Sequence, residues 1–411
     1  MMLTQKTIVF ENGERFPILV SIENGFPHFF STVFLSRVCR EKAANTMRVI
    51  AHSIAHLYAW AEINSINIDE RFEQGAFFTI AEIESLASAF RLYTSALRGL
   101  RKPPSSRGGV YHFPKANSVK SVQPQTVATR IRYAESYLTF LAKNYVHKLA
   151  INKKRFRDSE ELRKFMRQAI LSRIPRVGGR AQLHKRQGLN KEQQELLLEV
   201  TYPNHKRNPW KNEVVKLRNF TLILLLSKLG LRAGEALGLK IRDFDFQLNR
   251  VKVLRRPDDL EDVRRMEPNV KTIDRILLID SSLASIVHKF ILVRGNHRPS
   301  RFNDFLFTSY NSGRPLSYDA LFLVFKTLRL NFRNELPVDF SAHILRHTWN
   351  DRFSEIAKEQ GLSTAEEVKL RSYLCGWKET SGSAAIYTRR YQREYANRIS
   401  LKMQEAIKSA Q

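Results

Sequence analysis

The run FTLILLL at residues 220–226 is the longest apolar stretch in the chain. It falls far short of the ~20 residues that a bilayer span requires, so no membrane-crossing segment is expected. Such a run is too apolar for a surface element. It predicts a helix buried among other elements and ended by the turn at Gly230. The chain must therefore supply amphipathic partners to cover it.

Apolar spacing supplies them. Met47, Ile50, Ile54, Leu57, Tyr58 and Ala61 recur at helical steps through TMRVIAHSIAHLYAWAEI, and a second helix follows in FTIAEIESLASAFRLYTSAL. Residues 101–124, rich in Pro, Gly and Ser, read as a loop. Val127, Ile131, Ala134, Leu138 and Leu141 then mark another core-facing helix. Strand-like runs are few: TIVFENG and FPILVSIENG near the start, and RVKVLRRP and RILLID on either side of the polar segment DDLEDVRRMEPNVKTID. The fold class expected is mainly α with a small antiparallel β-sheet, an α+β arrangement.

At 411 residues the chain exceeds one ordinary core. The expected division is a strand-containing segment at 1–38, a helical domain at 39–172, a basic linker at 173–187 and a second domain at 188–411 with a helical tail. The tract 153–187 holds twelve Lys or Arg against three acids, a local net of +9. It reads as a phosphate-tracking surface, against the plainer alternative of a solvated helix face and a loop.

Charge narrows the partner. The chain carries 68 basic and 40 acidic residues, a net of +28, which an enzyme of small neutral metabolites has no reason to hold. Polyanions are the expected partners. The first residues lack a basic, then apolar, secretory pattern, so an intracellular protein is expected. Cys39 and Cys375 form no pair motif and read as ordinary thiols.

Phosphate-loop, HExxH, CxxC and GxSxG motifs are missing from the sequence. In AHILRHTWND, His343 and His347 stand one helical turn apart with Arg346 between them. They would offer a metal only two ligands, with no third at a recognisable spacing. Upstream, GLRAGEALGLKIRDFD turns at Gly230 and sets Arg232 three residues before Glu235, whose carboxylate is placed to fix the guanidinium.

The phrase RAxE followed by HxxRH resembles the tyrosine recombinases, or phage integrase family, over residues 188–400. The resemblance implies three further site residues: Lys271 in NVKTIDRILLI, Trp377 in LCGW and Tyr387 in AAIYTRRY. Trp377 stands where the family mostly carries His. The step from Trp377 to Tyr387 is one residue longer than the commonest spacing, which leaves Tyr391 as a rival nucleophile.

By resemblance, Tyr387 attacks DNA and forms a 3′-phosphotyrosyl ester, with His343 as base, Arg232 and Arg346 as the phosphate clamp and Lys271 as proton donor to the leaving oxygen. Glu235 and His347 brace the site. Trp349 reads as core. The upstream helices resemble the family's SAM-like core-binding domain, which closes a C-shaped clamp on DNA with the catalytic domain. No metal and no ATP are expected, because the cations supply the charge and the ester keeps the bond energy.

The implied activity is site-specific recombination that integrates or excises a mobile genetic element, on double-stranded DNA in the cytoplasm or nucleoid. A homotetramer on two DNA sites is expected, with accessory DNA-bending or directionality proteins and no membrane. The tail bears Tyr395, Ile399, Met403 and Ile407 at steps of four, either to dock on a neighbouring subunit or to pack on its own domain. The alternatives are a type IB topoisomerase-like relaxing enzyme and a non-catalytic DNA-binding accessory protein.

Overall fold

The computed structural model describes residues 2–100, 121–148, 153–176, 188–268, 270, 272–378 and 380–408. The chain divides into two compact units, Met1–Leu183 and His184–Gln411.

Unit 1 opens with an antiparallel hairpin, β1 (Leu3–Val9) and β2 (Arg15–Ser21), paired from Leu3↔Ser21 to Val9↔Arg15. Every residue of β2 is buried. The hairpin is no free-standing lead-in, since Leu3, Phe16, Ile18 and Leu19 share one core with Met47, Ile50, Ile54 and Leu57. The helices are α1 (Phe29–Val33), which runs into a π-helical turn, α2 (Ala44–Ile63), α3 (Ile68–Glu73), α4 (Ile80–Ala89), α5 (Thr94–Gly99), α6 (Pro124–Lys148) and α7 (Lys153–Leu171).

α2 lies deeper than an amphipathic stripe requires: Ala51, Ala55, Ala59 and Trp60 are buried beside the expected positions. Small residues on its remaining faces let neighbours approach from all round. The second expected helix is two, because Thr79 opens α4 with a capping box and Tyr93 restarts the chain as the N-cap of α5. The apolar stripe of α6 is buried as its spacing predicts. Residues 153–171 of the basic tract form α7, which sends Met166, Ala169 and Ile170 into the core. Most of the expected loop (101–120) and of the expected linker (177–187) lies outside the described residues.

Unit 2 contains α8 (Lys191–Thr201), α9 (Glu213–Leu229), α10 (Ala233–Gly238), α11 (Ser281–Asn296), α12 (Tyr318–Asn331), α13 (Ala342–Glu359), α14 (Thr364–Cys375) and α15 (Ser383–Lys408). Its antiparallel sheet runs β3 (Phe244–Asp245), β4 (Arg250–Val253), β5 (Arg275–Leu278), with Phe244 opposite Val251 and Val251 opposite Leu277. α9 carries the apolar run and is the hub: Leu222, Ile223, Leu225 and Leu226 are fully buried, and α11 and α13 pack against it. Asn212 caps its start by accepting the Val215 N–H. Among the described residues no helix is long and apolar enough to cross a membrane.

Candidate active site

α9 ends on Gly230 at φ +59°, a left-handed conformation that favours glycine. The Trp349 ring closes over the same spot, where a Cβ would come within 2.6 Å of it, and its indole N–H donates to the Lys228 carbonyl at 3.0 Å. Trp349 is thus the packing residue that seals this turn. Two residues on, Arg232 occupies the N-cap of α10, and its backbone N–H donates to Glu235 at 2.9 Å.

Glu235 is buried and gathers cations. It accepts from Arg275 at 2.9 and 3.2 Å and from the Thr272 hydroxyl at 2.5 Å, and its carboxylate lies 3.6 Å from Arg232 and 3.8 Å from Arg346. Burial pushes this carboxyl up, but the charge and hydrogen bonds of Arg275, the charge of Arg346 and the Thr272 hydroxyl outweigh it and hold it below the ordinary range.

The LCGW turn after α14 completes the frame. One carbonyl, that of Cys375, accepts from both Arg232 (3.4 Å) and Arg346 (3.3 Å), while Arg346 also donates to Gly230 at 2.5 Å. Gly376 has φ +63°, and a Cβ there would meet Arg275, Ile273 and Thr272 within 3.0 Å. Its carbonyl accepts the Ile273 N–H at 2.9 Å, so the turn rests on the segment entering β5.

Trp377 then lies against both guanidiniums, 5.7 Å from Arg232 and 5.0 Å from Arg346, and stacks on Tyr387 at 5.7 Å and 12°. Its indole N–H is buried with no hydrogen-bond partner among the described residues. On α13, the His347 ring lies 4.4 Å from that of His343 and 5.4 Å from that of Tyr387. Burial raises the Tyr387 phenol, with Arg346 and Arg232 acting in the opposite direction. At neutral pH it is an acid that needs a base.

Arg232, Glu235, His343, Arg346, His347, Trp377 and Tyr387 therefore meet in one place. Tyr391 stacks instead on Tyr395, at 6.2 Å and 12°. Lys271 lies outside the described residues, although its neighbour Thr272 is bound to Glu235. Sequence reading missed Arg275, Thr272 and the Cys375 carbonyl. Arg275 left a signal: in the strand RILL the buried positions alternate as Arg275 and Leu277, and an arginine on an inward face demands a buried acceptor.

Two guanidiniums beside a tyrosine are an arrangement that can grip a phosphate. Residues 189–392 match the phage integrase family. The Tn1549 transposon integrase in complex with transposon right end DNA is similar in structure, at 15% identity and a TM-score of 0.50, over 90% of this chain and 99% of that one. The XerH site-specific recombinase bound to palindromic difH substrate is 14% identical, with a TM-score of 0.43, over 87% of this chain and 97% of that one. A search of curated proteins finds no match. The fold and the family domain define a tyrosine-type enzyme that cleaves and rejoins DNA. Residues 189–392 are a domain of the phage integrase family.

Proposed function

We propose that this protein is a site-specific recombinase that moves a mobile genetic element, with Tyr387 as its nucleophile. The observation that carries the assignment is the Tyr387 ring stacked on Trp377, which in turn packs on both Arg232 and Arg346. The phenol oxygen attacks the scissile phosphorus, the bond to the 5′ oxygen breaks, and the phenol proton passes to His343, braced by His347. Arg232 and Arg346 hold the two nonbridging oxygens as charge grows on them, and the Trp377 N–H donates to one of them. Glu235 and Arg275 keep the clamp in register. Lys271 protonates the leaving 5′ oxygen. The ester conserves the bond energy, so the reverse attack rejoins DNA without ATP or a metal.

DNA is held mainly through phosphates. In unit 1, Lys143, Arg163, Lys164 and Arg167 line an open groove between α6 and α7 that suits a phosphate backbone. The tail favours assembly on two sites as a homotetramer, since Tyr395, Ile399, Leu401 and Met403 on α15 are exposed and await a second copy. The work is done in the cytoplasm on nucleoid DNA, with accessory bending or directionality proteins.

The test is covalent capture. Wild-type protein is incubated in chelator with a randomised library of nicked duplexes, and adducts that survive detergent are mapped and sequenced. The expected result is a nucleotide on Tyr387, lost in Tyr387→Phe and kept in Tyr391→Phe. An adduct on Tyr391 would overturn the nucleophile assignment, and dependence on a divalent metal would overturn the chemistry. Relaxation of plasmids without recombination between two captured sites would assign a topoisomerase instead.

A further inference from the structure

We propose that Arg371 is a positioning residue that fastens the nucleophile-bearing helix α15 to its own catalytic unit and sets the rotation at which Tyr387 is presented. The inference rests on Tyr387 being the nucleophile. Arg371 lies on α14, one turn before Cys375, and its side chain is fully buried. One nitrogen, Nη1, donates to the Thr388 hydroxyl at 3.1 Å and to the Ala384 carbonyl at 3.4 Å. Nη2 donates to the Ser354 hydroxyl at 2.5 Å, to the Asn350 carbonyl at 3.5 Å and to the Glu367 carboxylate. The guanidinium thus ties α15 to α13 and α14, and it grips α15 on both sides of Tyr387, three residues before and one after.

The choice of residue is informative. A full charge buried here costs desolvation that a leucine would avoid, and Glu367 alone of its hydrogen-bond partners is charged. The Nε–H has no acceptor among the described residues, so the loss is not fully offset. What a planar fork offers that an aliphatic side chain does not is direction: five donors in fixed geometry accept only one azimuth of the partner helix. The guanidinium carbon also lies 6.0 Å from the Tyr387 ring centroid, and it joins Arg346 and Arg232 among the cations that favour the phenolate. The DNA clamp proper, Arg232 and Arg346 with Glu235, makes no hydrogen bond to Arg371. Phosphate binding and nucleophile presentation are therefore separable.

The experiment compares wild type with Arg371→Met, Arg371→Lys and Thr388→Val on DNA recovered from the randomised library by covalent capture on wild-type protein. Noncovalent DNA affinity, the first-order rate of adduct formation and hydrogen exchange of peptides covering 384–395 are measured in the full chain. Arg371→Met should keep affinity within about twofold while the adduct rate falls about 50-fold, the scale at which loss of reactive alignment is felt. Arg371→Lys should recover part of that rate, and Thr388→Val should lose about three- to tenfold, the net worth of one ordinary hydrogen bond. Exchange at 384–395 should quicken in Arg371→Met and Thr388→Val without change around Arg232 and Arg346.

If Arg371→Met does not fold, Thr388→Val and Arg371→Lys decide the matter, and wild-type rates and exchange in both would overturn the proposal. So would an Arg371→Met protein that forms adduct at the wild-type rate, or one that loses affinity in step with rate. Absence of any wild-type adduct on Tyr387 sinks the nucleophile reading and this inference with it. A wild-type adduct with unaffected variants sinks this inference alone.

Discussion

Two buried tryptophans show how differently the two units treat polar groups. In unit 1 the Trp60 indole N–H donates to the Ser85 hydroxyl at 3.0 Å, whereas in unit 2 the Trp377 N–H is buried with no acceptor among the described residues. The contrast extends to their neighbours. His56 in α2 donates through Nε2 to the Ala89 carbonyl at 2.9 Å and meets the Thr94 hydroxyl at 3.1 Å, and Tyr58 binds Asp69 and Tyr137. Around Glu235 in unit 2, three guanidiniums, those of Arg232, Arg275 and Arg346, converge on one carboxylate. Unit 1 closes these polar groups on one another and so fixes a shape. Unit 2 keeps positive charge and an open donor in a buried place, which is costly unless a phosphate completes them.

The largest effect is expected from breaking the focus of that charge. Glu235→Gln keeps the shape but leaves two buried guanidiniums, those of Arg275 and Arg346, and the part-exposed Arg232 facing one another, and loss of one partner of a buried ion pair typically costs ~3–5 kcal/mol. Unit 2 should unfold at lower denaturant while the protection of unit 1 stays as it was, followed by hydrogen exchange across a urea series. Adduct formation should fall at least a hundredfold, since Arg232 and Arg346 lose the group that orients them. Equal destabilisation of both units would contradict the contrast.

Acid should separate the units in the other direction. Burial, with Arg130 nearby, lowers His56 from 6.5 to about 3 in the folded chain. Between those values the unfolded chain takes up a proton that the native chain refuses. The contribution of His56 is therefore complete above pH 6.5 and falls as pH drops toward 3. Glu235 is held below its ordinary value of 4.5, so its contribution is intact above that pH and is lost only below it. At pH 5 unit 1 should have lost about 2 kcal/mol through His56, at 1.36 kcal/mol per unit, while the Glu235 cluster keeps its full contribution. Exchange of α2 and α4 peptides, corrected for intrinsic rate, should rise between pH 7 and 5, and His56→Gln should flatten the rise. If the peptides around Glu235 open first, the assignment of the two windows is wrong.

The parts of the site legible in sequence are those fixed by a single element. Arg232 and Glu235 are three apart at the start of α10, and His343, Arg346 and His347 share one face of α13, so spacing alone groups them. The buried helix at 220–226 was legible for the same reason. What was not legible depends on approach between elements distant in sequence. The Cys375 carbonyl that joins the two clamp arginines, Arg275 beneath Glu235 and Arg371 beneath Tyr387 act through backbone atoms or partners up to 143 residues away. The depth of α2 and the union of the hairpin with the helical core were hidden likewise, because periodicity reports which face is apolar but not how many neighbours cover it.

The smallest effect tests the comparison at its origin. Trp377→Phe keeps an aromatic ring for Tyr387 to stack on and removes, with part of the indole ring, the N–H that no described group accepts. Removing an unpaired buried donor leaves no described partner orphaned, so unfolding of unit 2 should ease only by the packing of the lost ring atoms. The adduct rate should fall about tenfold, the ~1.4 kcal/mol of one hydrogen bond to a charged oxygen, and Trp377→His should restore much of it by returning an N–H. Trp60→Phe removes the same atom in unit 1 but strands the Ser85 hydroxyl, at about 1–3 kcal/mol of stability with no change in adduct rate. The two substitutions are chemically alike, so urea unfolding and adduct kinetics measured on both should give crossed results. If Trp377→Phe weakens folding as much as Trp60→Phe and spares the chemistry, its N–H is satisfied within the protein, and the phosphate contact assigned to it falls.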